Sequence, residues 1–241
     1  MSKNKVALLL SGGPDSVTLL YDLLAQGHEV VALTYNFGEA EAQNERDAAT
    51  AIAAELEVEH HFFDFSGPLK EFYHLPQPQF LRMAMMRSSE AGPVSKSEDV
   101  QPFGSAIALL LTASWAVKND ISSVFYAVHA DDSHFTDNHR EYFDKLSDVT
   151  RECEGQDFAV EFHTPYLDTR KFDVINKGIT LGVPFGRTWS CAAGGSTHCG
   201  QCAPCINRSG AFAVIGEQDP VAYLHDPQEH LENRFAGSAQ L

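Results

Sequence analysis

The apolar run Val6-Ala7-Leu8-Leu9-Leu10 passes directly into Ser11-Gly12-Gly13-Pro14-Asp15-Ser16, and Ser16 to Ala25 then has helical spacing. Five continuous apolar residues bounded by a glycine turn fit a strand buried on both faces, as in a parallel sheet. Val17, Leu19, Leu20, Leu23 and Leu24 give the following helix an apolar side to lay on that sheet. The arrangement commits the chain to a βα unit, and its turn aims backbone N–H groups and a positive helix end at one point. Read blandly, the glycines only join a strand to a helix. Read chemically, Gly12 and Gly13 admit phosphate oxygens to the backbone, and the Ser11 and Ser16 hydroxyls add donors.

A Walker loop would carry Lys immediately before its last hydroxyl residue, and this chain has Asp15 there. A carboxylate suits a different task, holding Mg²⁺ on a pyrophosphate, because hard cations take oxygen ligands. The Ser-Gly-Gly-x-Asp-Ser pattern resembles the loop of the ATP pyrophosphatase family, whose members release pyrophosphate and leave AMP on the substrate.

Further along, apolar and helical segments alternate. Strands are expected at residues 30–35, 58–65, 123–128 and 158–162, and helices at 40–56, 105–118, 138–151 and 169–181. A less regular stretch, Ser66 to Pro102, is long enough to be a lid or interface region with a helix around Gln79 to Arg87; Met83, Met85 and Met86 read as packing residues. Phe235 to Leu241 reads as a mobile tail. The pattern predicts an α/β fold, a doubly wound parallel sheet of Rossmann-like type with its ligand at the carboxyl ends of the strands. A nucleotide-binding domain is expected over residues 1–165, with a small C-terminal helical and zinc-binding module over 166–241.

A net charge of −16 over 241 residues argues against nonspecific nucleic-acid binding, which needs a basic footprint. No segment reaches the roughly 20 apolar residues of a membrane span, and the opening residues do not read as a secretory leader. A cytoplasmic protein acting on small molecules, ATP among them, is expected.

Four of the five cysteines, Cys191, Cys199, Cys202 and Cys205, fall within fifteen residues; Cys153 stands apart on a polar helix. In a reducing compartment such clustering points to metal rather than disulfide, and two CxxC steps suit tetrahedral zinc. Catalytic thiols or an iron–sulfur cluster are the alternatives. Four thiolates would close the coordination sphere and make the zinc structural. His198 reads as a neighbour of the centre.

Taken together, the phosphate-type loop, Ser190-Cys191 and Cys199-Gly200-Gln201-Cys202-Ala203-Pro204-Cys205 resemble the 7-cyano-7-deazaguanine synthase family of queuosine precursor biosynthesis. The likeness runs to about Gly216 and takes in Thr34 to Gly38, Asp132, Arg140, His163-Thr164-Pro165 and Lys171. It implies adenylation of 7-carboxy-7-deazaguanine by ATP with magnesium, amidation by ammonia, and a second activation giving the nitrile. It also makes a homodimer plausible. Under that reading Asp15, Ser16 and Lys171 are catalytic; Ser11, Gly12, Gly13, Asp15, Ser16, Thr34 and Tyr35 hold the nucleotide; Asp132 and Arg140 contact substrate. Three segments depart from the family. Gly38-Glu39-Ala40-Glu41 replaces Gly-Gln-Arg-His, Gly104-Ser105 replaces Arg-Asn, and Phe135-Thr136-Asp137-Asn138-His139-Arg140 replaces Gly-Tyr-Pro-Asp-Cys-Arg. These changes remove positive charge and add carboxylates. A paralogue that passes the activated carboxylate to a protein amine, as suspected in anti-phage settings, is therefore an alternative, and a non-catalytic nucleotide-binding zinc scaffold is another.

Overall fold

The computed structural model describes residues 4–74, 79, 80, 100, 101, 103–133, 135, 137–154, 157 and 159–229. Five parallel strands, β1 (Lys5–Leu9), β2 (Glu29–Asn36), β3 (Glu59–Asp64), β6 (Ser123–Phe125) and β7 (Glu161–His163), form one sheet in the order β3-β2-β1-β6-β7. A second parallel pair joins β4 (Gln79–Phe80) to β5 (Val100–Gln101). From β1 the chain steps outward through β2 and β3, then returns to place β6 on the other side of β1. The direction of winding therefore reverses between β1 and β6, where an open parallel sheet leaves a crevice at its carboxyl edge.

Alternation along the strands divides the core. Val6 and Leu8 of β1 and Val30 and Ala32 of β2 face α1 (Pro14–Ala25) and α2 (Ala42–Glu55). Ala7, Leu9, Val31 and Leu33 point the other way, toward α4 (Gly104–Lys118) and α5 (Arg140–Glu154). The first cluster also takes in Val174 and Ile175 of α6 (Lys171–Leu181) and Ala211 and Phe212 of α7 (Ala203–Val214), so the segment after residue 165 is packed against the sheet layer. Gly178 makes that packing close: a Cβ there would lie 2.4 Å from the Phe185 ring and 2.6 Å from Thr18 Oγ1. Among the described residues no helix is long and apolar enough to cross a membrane.

Most expected elements are present, with shifted ends. α1 starts at Pro14, whose fixed φ and missing N–H suit a first helical position. β6 ends at Phe125 instead of Val128, because only Ala7 and Leu8 of β1 have partners on it. An additional helix, α3 (Ser66–Tyr73), lies in the stretch expected to be irregular. Leu69, Phe72 and Tyr73 recur at helical spacing, but the helix is eight residues long and buries none of them; Asp64 starts it by accepting the Ser66 N–H at 2.9 Å and its hydroxyl at 2.5 Å. Gln79 and Phe80 belong to a strand rather than to the helix expected there. The rest of that expected helix, most of the suggested lid with its methionines, and the tail from Phe235 lie outside the described residues.

Candidate active site and cysteine centre

The turn after β1 is held by its own serines. Ser11 Oγ accepts the Gly13 N–H at 3.2 Å and lies 3.0 Å from Ser16 Oγ, which donates to the Gly13 carbonyl at 3.2 Å. Gly13 is the N-cap of α1 and has no side chain to occupy the helix start, so the first turn presents its amides outward. Gly12 is in the left-handed region, φ +76°, and a Cβ there would meet the Glu45 carbonyl oxygen at 2.6 Å and the Ala49 nitrogen at 2.8 Å. The turn is thus clamped against α2, and only glycine fits.

Across the crevice, β6 leads through Tyr126 to His129 and into a 3₁₀ turn, Ala130–Asp132. Buried His129 places Nε2 3.8 Å from Asp15 Oδ2 and 3.6 Å from Asp132 Oδ2. Lys171, the first residue of α6, reaches over to pair with Asp15. Its own backbone N–H is fixed by Asp131 Oδ2 at 2.7 Å, while Asp131 Oδ1 lies 2.7 Å from Arg170 Nε. Asp15 of the first turn of α1, Asp131 and Asp132 of the 3₁₀ turn and the Lys171 ammonium consequently converge beside the open end of α1. Such a set can grip a polyphosphate and its divalent cation, the lysine on phosphate oxygens and the carboxylates on the metal.

The structure therefore groups Ser11, Gly12, Gly13, Asp15, Ser16, Asp132 and Lys171. Thr34 lies underneath: it is buried, its hydroxyl donates to the Leu10 carbonyl at 2.5 Å, and it accepts from His60 Nε2 at 2.8 Å. Tyr35 is half-buried against Phe37 and Phe63, and its hydroxyl is 2.9 Å from Thr112 Oγ1. Burial pushes its pKa up to about 12. Arg140 sits at the exposed rim, 3.3 Å from Asp168. His129 and Asp131 escaped sequence reading, although His129-Ala130-Asp131-Asp132 directly follows the expected strand; titratable residues at the carboxyl end of a parallel strand were the available signal.

Two of the departing segments meet, and the third lies at the head of α2. Ser105, at the start of α4, donates to Asp137 and lies 3.0 Å from the Tyr142 hydroxyl. Asn138 is buried and donates to the Asp132 carbonyl at 3.3 Å. Glu39 accepts the Phe37 N–H at 3.1 Å, and Glu41 is buried at the head of α2. Burial, reinforced by Glu41 and then Glu39, raises the Glu45 pKa well above the ordinary carboxylate value.

The cysteine centre forms over one flank of this site. The sulfurs of Cys191, Cys199, Cys202 and Cys205 all lie within 4.8 Å of one another, with Cys199 and Cys205 4.0 Å apart. Ideal tetrahedral zinc with bonds of about 2.3 Å would set its sulfurs about 3.8 Å apart. Backbone amides already serve the sulfurs: Cys199 N–H points at Cys191 Sγ, and the Gln201 and Cys202 N–H groups at Cys199 Sγ, each at 3.3 Å. A hydrogen bond from Cys205 lowers the pKa of the Cys202 thiol, while burial raises that of Cys191. Four sulfurs this close, three of them buried, make a soft donor set that fits a metal ion. His198 is not one of the donors. Its Nε2 accepts the Ser190 N–H at 3.2 Å, its ring packs on Trp189 at 4.3 Å, and burial, with Arg208 adding to it, lowers its pKa to about 4.

Comparison with known proteins agrees with this geometry. The model of a family described as queuosine biosynthesis protein QueC matches residues 5–216. The chain belongs to the QueC family. Curated relatives include 7-cyano-7-deazaguanine synthase of Methanoregula boonei, 35% identical over 222 residues covering 91% of this chain and 99% of the relative, and that of Caldicellulosiruptor saccharolyticus, 32% identical over 91% and 95%. Among solved structures, NMN synthetase from Francisella tularensis shares the fold, with a TM-score of 0.52 at 18% identity over 99% of this chain and 88% of that one. The matched range, residues 5–216, spans both the phosphate-type turn and the four cysteines.

Proposed function

We propose that the chain is an ATP-dependent carbon–nitrogen ligase of the 7-cyano-7-deazaguanine synthase kind. A carboxylate oxygen of 7-carboxy-7-deazaguanine attacks the α-phosphorus of ATP, the bond to the β-phosphate oxygen breaks, and pyrophosphate leaves. The nitrogen of ammonia then attacks the acyl carbon, loses a proton, and expels AMP to give the amide; repetition of the activation on the amide oxygen leads to the nitrile. A carboxylate is a poor electrophile at neutral pH, and adenylation converts its oxygen into a leaving group.

The observation that carries this reading is the Asp15–Lys171 pair, set beside the open start of α1 at the point where the sheet reverses. Ser11, Gly12, Gly13 and Ser16 hold phosphate oxygens. Lys171 offsets the charge that grows on pyrophosphate as it departs. Asp15, with Asp132 nearby through His129, would hold magnesium, which would offset phosphate charge. Tyr35 would border the base or ribose, and Arg140, exposed beside Asp168, would meet substrate. Zinc is the ion the four cysteines would hold; bound by four thiolates it supplies rigidity and has no position open for substrate.

The test is pyrophosphate release with ATP, magnesium and 7-carboxy-7-deazaguanine, with and without ammonium, followed by mass spectrometry of the product. Release that requires the deazapurine, with nitrile formed on adding ammonium, is expected; tight nucleotide binding without any release would overturn the reading in favour of a scaffold. Glu39 and Glu41, in the segment where Gly38-Glu39-Ala40-Glu41 replaces the family's Gly-Gln-Arg-His, favour a second reading in which the acceptor is a cationic amine on a protein. A mass increase on a partner polypeptide, in place of free nitrile, would select it. The biosynthetic names of the relatives lend an anti-phage role no support.

A further inference from the structure

The chain segment that leads into the cysteine centre also buttresses the nucleotide turn. Trp189 N–H donates to the Gly12 carbonyl at 3.0 Å, and a Cβ on Gly13 would come within 3.3 Å of the Trp189 carbonyl. Two residues later the chain is Cys191, whose carbonyl accepts the Trp189 indole N–H at 2.8 Å. The loop between Cys191 and Cys199 then touches the head of α2. Gly194 is so close to Ala40 that a Cβ would meet its carbonyl oxygen at 2.6 Å, and Asn44 Nδ2 donates to the Gly195 carbonyl at 2.8 Å. Since α2 is the surface against which Gly12 is clamped, the cysteine loop grips the turn from two sides, directly through Trp189 and indirectly through α2.

Segment 188–195 has few other ways of holding that shape. It contains no helix or strand, and Gly194 and Gly195 both adopt positive φ, at +69° and +92°. Backbone of this kind is set by its two anchored ends. One end is Thr188, which a buried guanidinium from α7 holds at both its carbonyl and its hydroxyl. The other end is fixed by the four sulfurs. Without an ion, the sulfurs are tied only by backbone N–H contacts at 3.3 Å and by weak thiol contacts, which hold the loop between the first and second cysteine against Ala40 and Asn44 less firmly than four metal bonds would.

We infer that the cysteine centre and the nucleotide turn are energetically coupled through residues 188–195: a metal-filled centre sets the turn for nucleotide, and bound nucleotide retains the metal. This rests on the nucleotide and zinc assignments above. Reciprocity is obligatory, because whatever factor metal adds to nucleotide affinity, nucleotide must add to metal affinity. In this arrangement Trp189 and Asn44 are positioning residues that act through the backbone of the turn and through α2.

The coupling is tested on the zinc-loaded full chain by following transfer of zinc to the chromophoric chelator 4-(2-pyridylazo)resorcinol, with and without saturating magnesium and α,β-methylene-ATP. Transfer should slow by roughly fivefold or more when the analogue is bound. In Asn44→Ala, which removes one exposed side-chain link and should leave the melting temperature within about 2 °C of the parent, this protection should fall markedly. Binding of the analogue, measured by calorimetry, with no change in transfer rate would overturn the coupling. Equal protection in parent and Asn44→Ala would overturn it too, because the analogue would then be acting through general stabilisation. Failure of the analogue to bind the zinc-loaded chain would instead overturn the nucleotide assignment on which the coupling rests.

Discussion

Arg208 is fully buried, and replacing it is the most demanding test of how the C-terminal segment is held. Its Nε lies 2.9 Å from Asp219 Oδ2, one terminal nitrogen donates to Asp219 Oδ1 at 3.0 Å and to the Phe185 carbonyl at 2.7 Å, and the other donates to the Thr188 carbonyl, the Thr188 hydroxyl and Ser190 Oγ. Arg208→Met would fill part of the volume but strand the Asp219 carboxylate, which keeps only the Tyr223 hydroxyl at 2.6 Å and the Val221 N–H at 3.3 Å. Removing one member of a buried ion pair costs about 3–5 kcal/mol. At about 2–4 °C per kcal/mol for a chain of this size, the melting temperature should fall by roughly 6–20 °C. Asp219→Leu should cost a similar amount, for it leaves a buried guanidinium short of its counter-charge. The double variant should lose less than the sum of the singles by at least about 1.5 kcal/mol, because the two charges then leave together. Denaturant unfolding of the parent, both singles and the double completes the cycle. Additive losses, or a single-variant loss below about 1 kcal/mol, would refute the claim that this pair pins residues 185–190.

Gly12→Ala should cost about 1–2 kcal/mol for the left-handed φ alone and more for the approach to Glu45 and Ala49, with nucleotide affinity falling further than stability; calorimetry and thermal melts together separate the two. Glu45 is predicted to be protonated in the fold at pH values where the unfolded chain has already ionised. Its folded pKa lies above its unfolded one, so its contribution is most favourable below about pH 4.5 and is lost as pH rises toward the folded value. Glu45→Gln should therefore melt higher than the parent, by a margin that grows from pH 5 to pH 8, and a margin that shrinks over that range would contradict the burial argument. Cys191→Ser should lose bound metal and lower stability; full metal content by elemental analysis with an unchanged melt would show that Cys191 is no ligand.

Legibility in the sequence followed the range of the forces involved. The βα start, the parallel sheet and the cysteine cluster were readable because each depends on local pattern: Val6 to Leu10 is apolar throughout, Pro14 sits where a helix can begin, and four sulfurs recur within a few residues. In α3 the helical spacing of Leu69, Phe72 and Tyr73 is confined to eight residues, none of them buried, too short a run to stand out from the irregular stretch around it. The site was legible where the motif carried it and opaque where it is built by contact across the chain. Lys171 came from family likeness, but its pairing with Asp15 and the anchoring of its N–H by Asp131 depend on the crossover that sets α6 beside α1. Arg208 looks like any helix cation in the sequence; its burial follows from Phe185, Thr188, Ser190 and Asp219 closing around it.

The hydrogen bond between Trp189 and Gly12 joins the first loop of the chain to nearly the last fifth of it. During synthesis β1 emerges well before its neighbour β6 and the strap at Trp189, which follow only after the intervening strands and helices have been made. A nascent chain still lacking that strap would expose an unfinished anion cradle, and contacts of such long sequence separation are slow to close. Catalytic competence in this architecture should accordingly be among the final properties that a growing chain acquires, arriving with metal uptake rather than with collapse of the sheet.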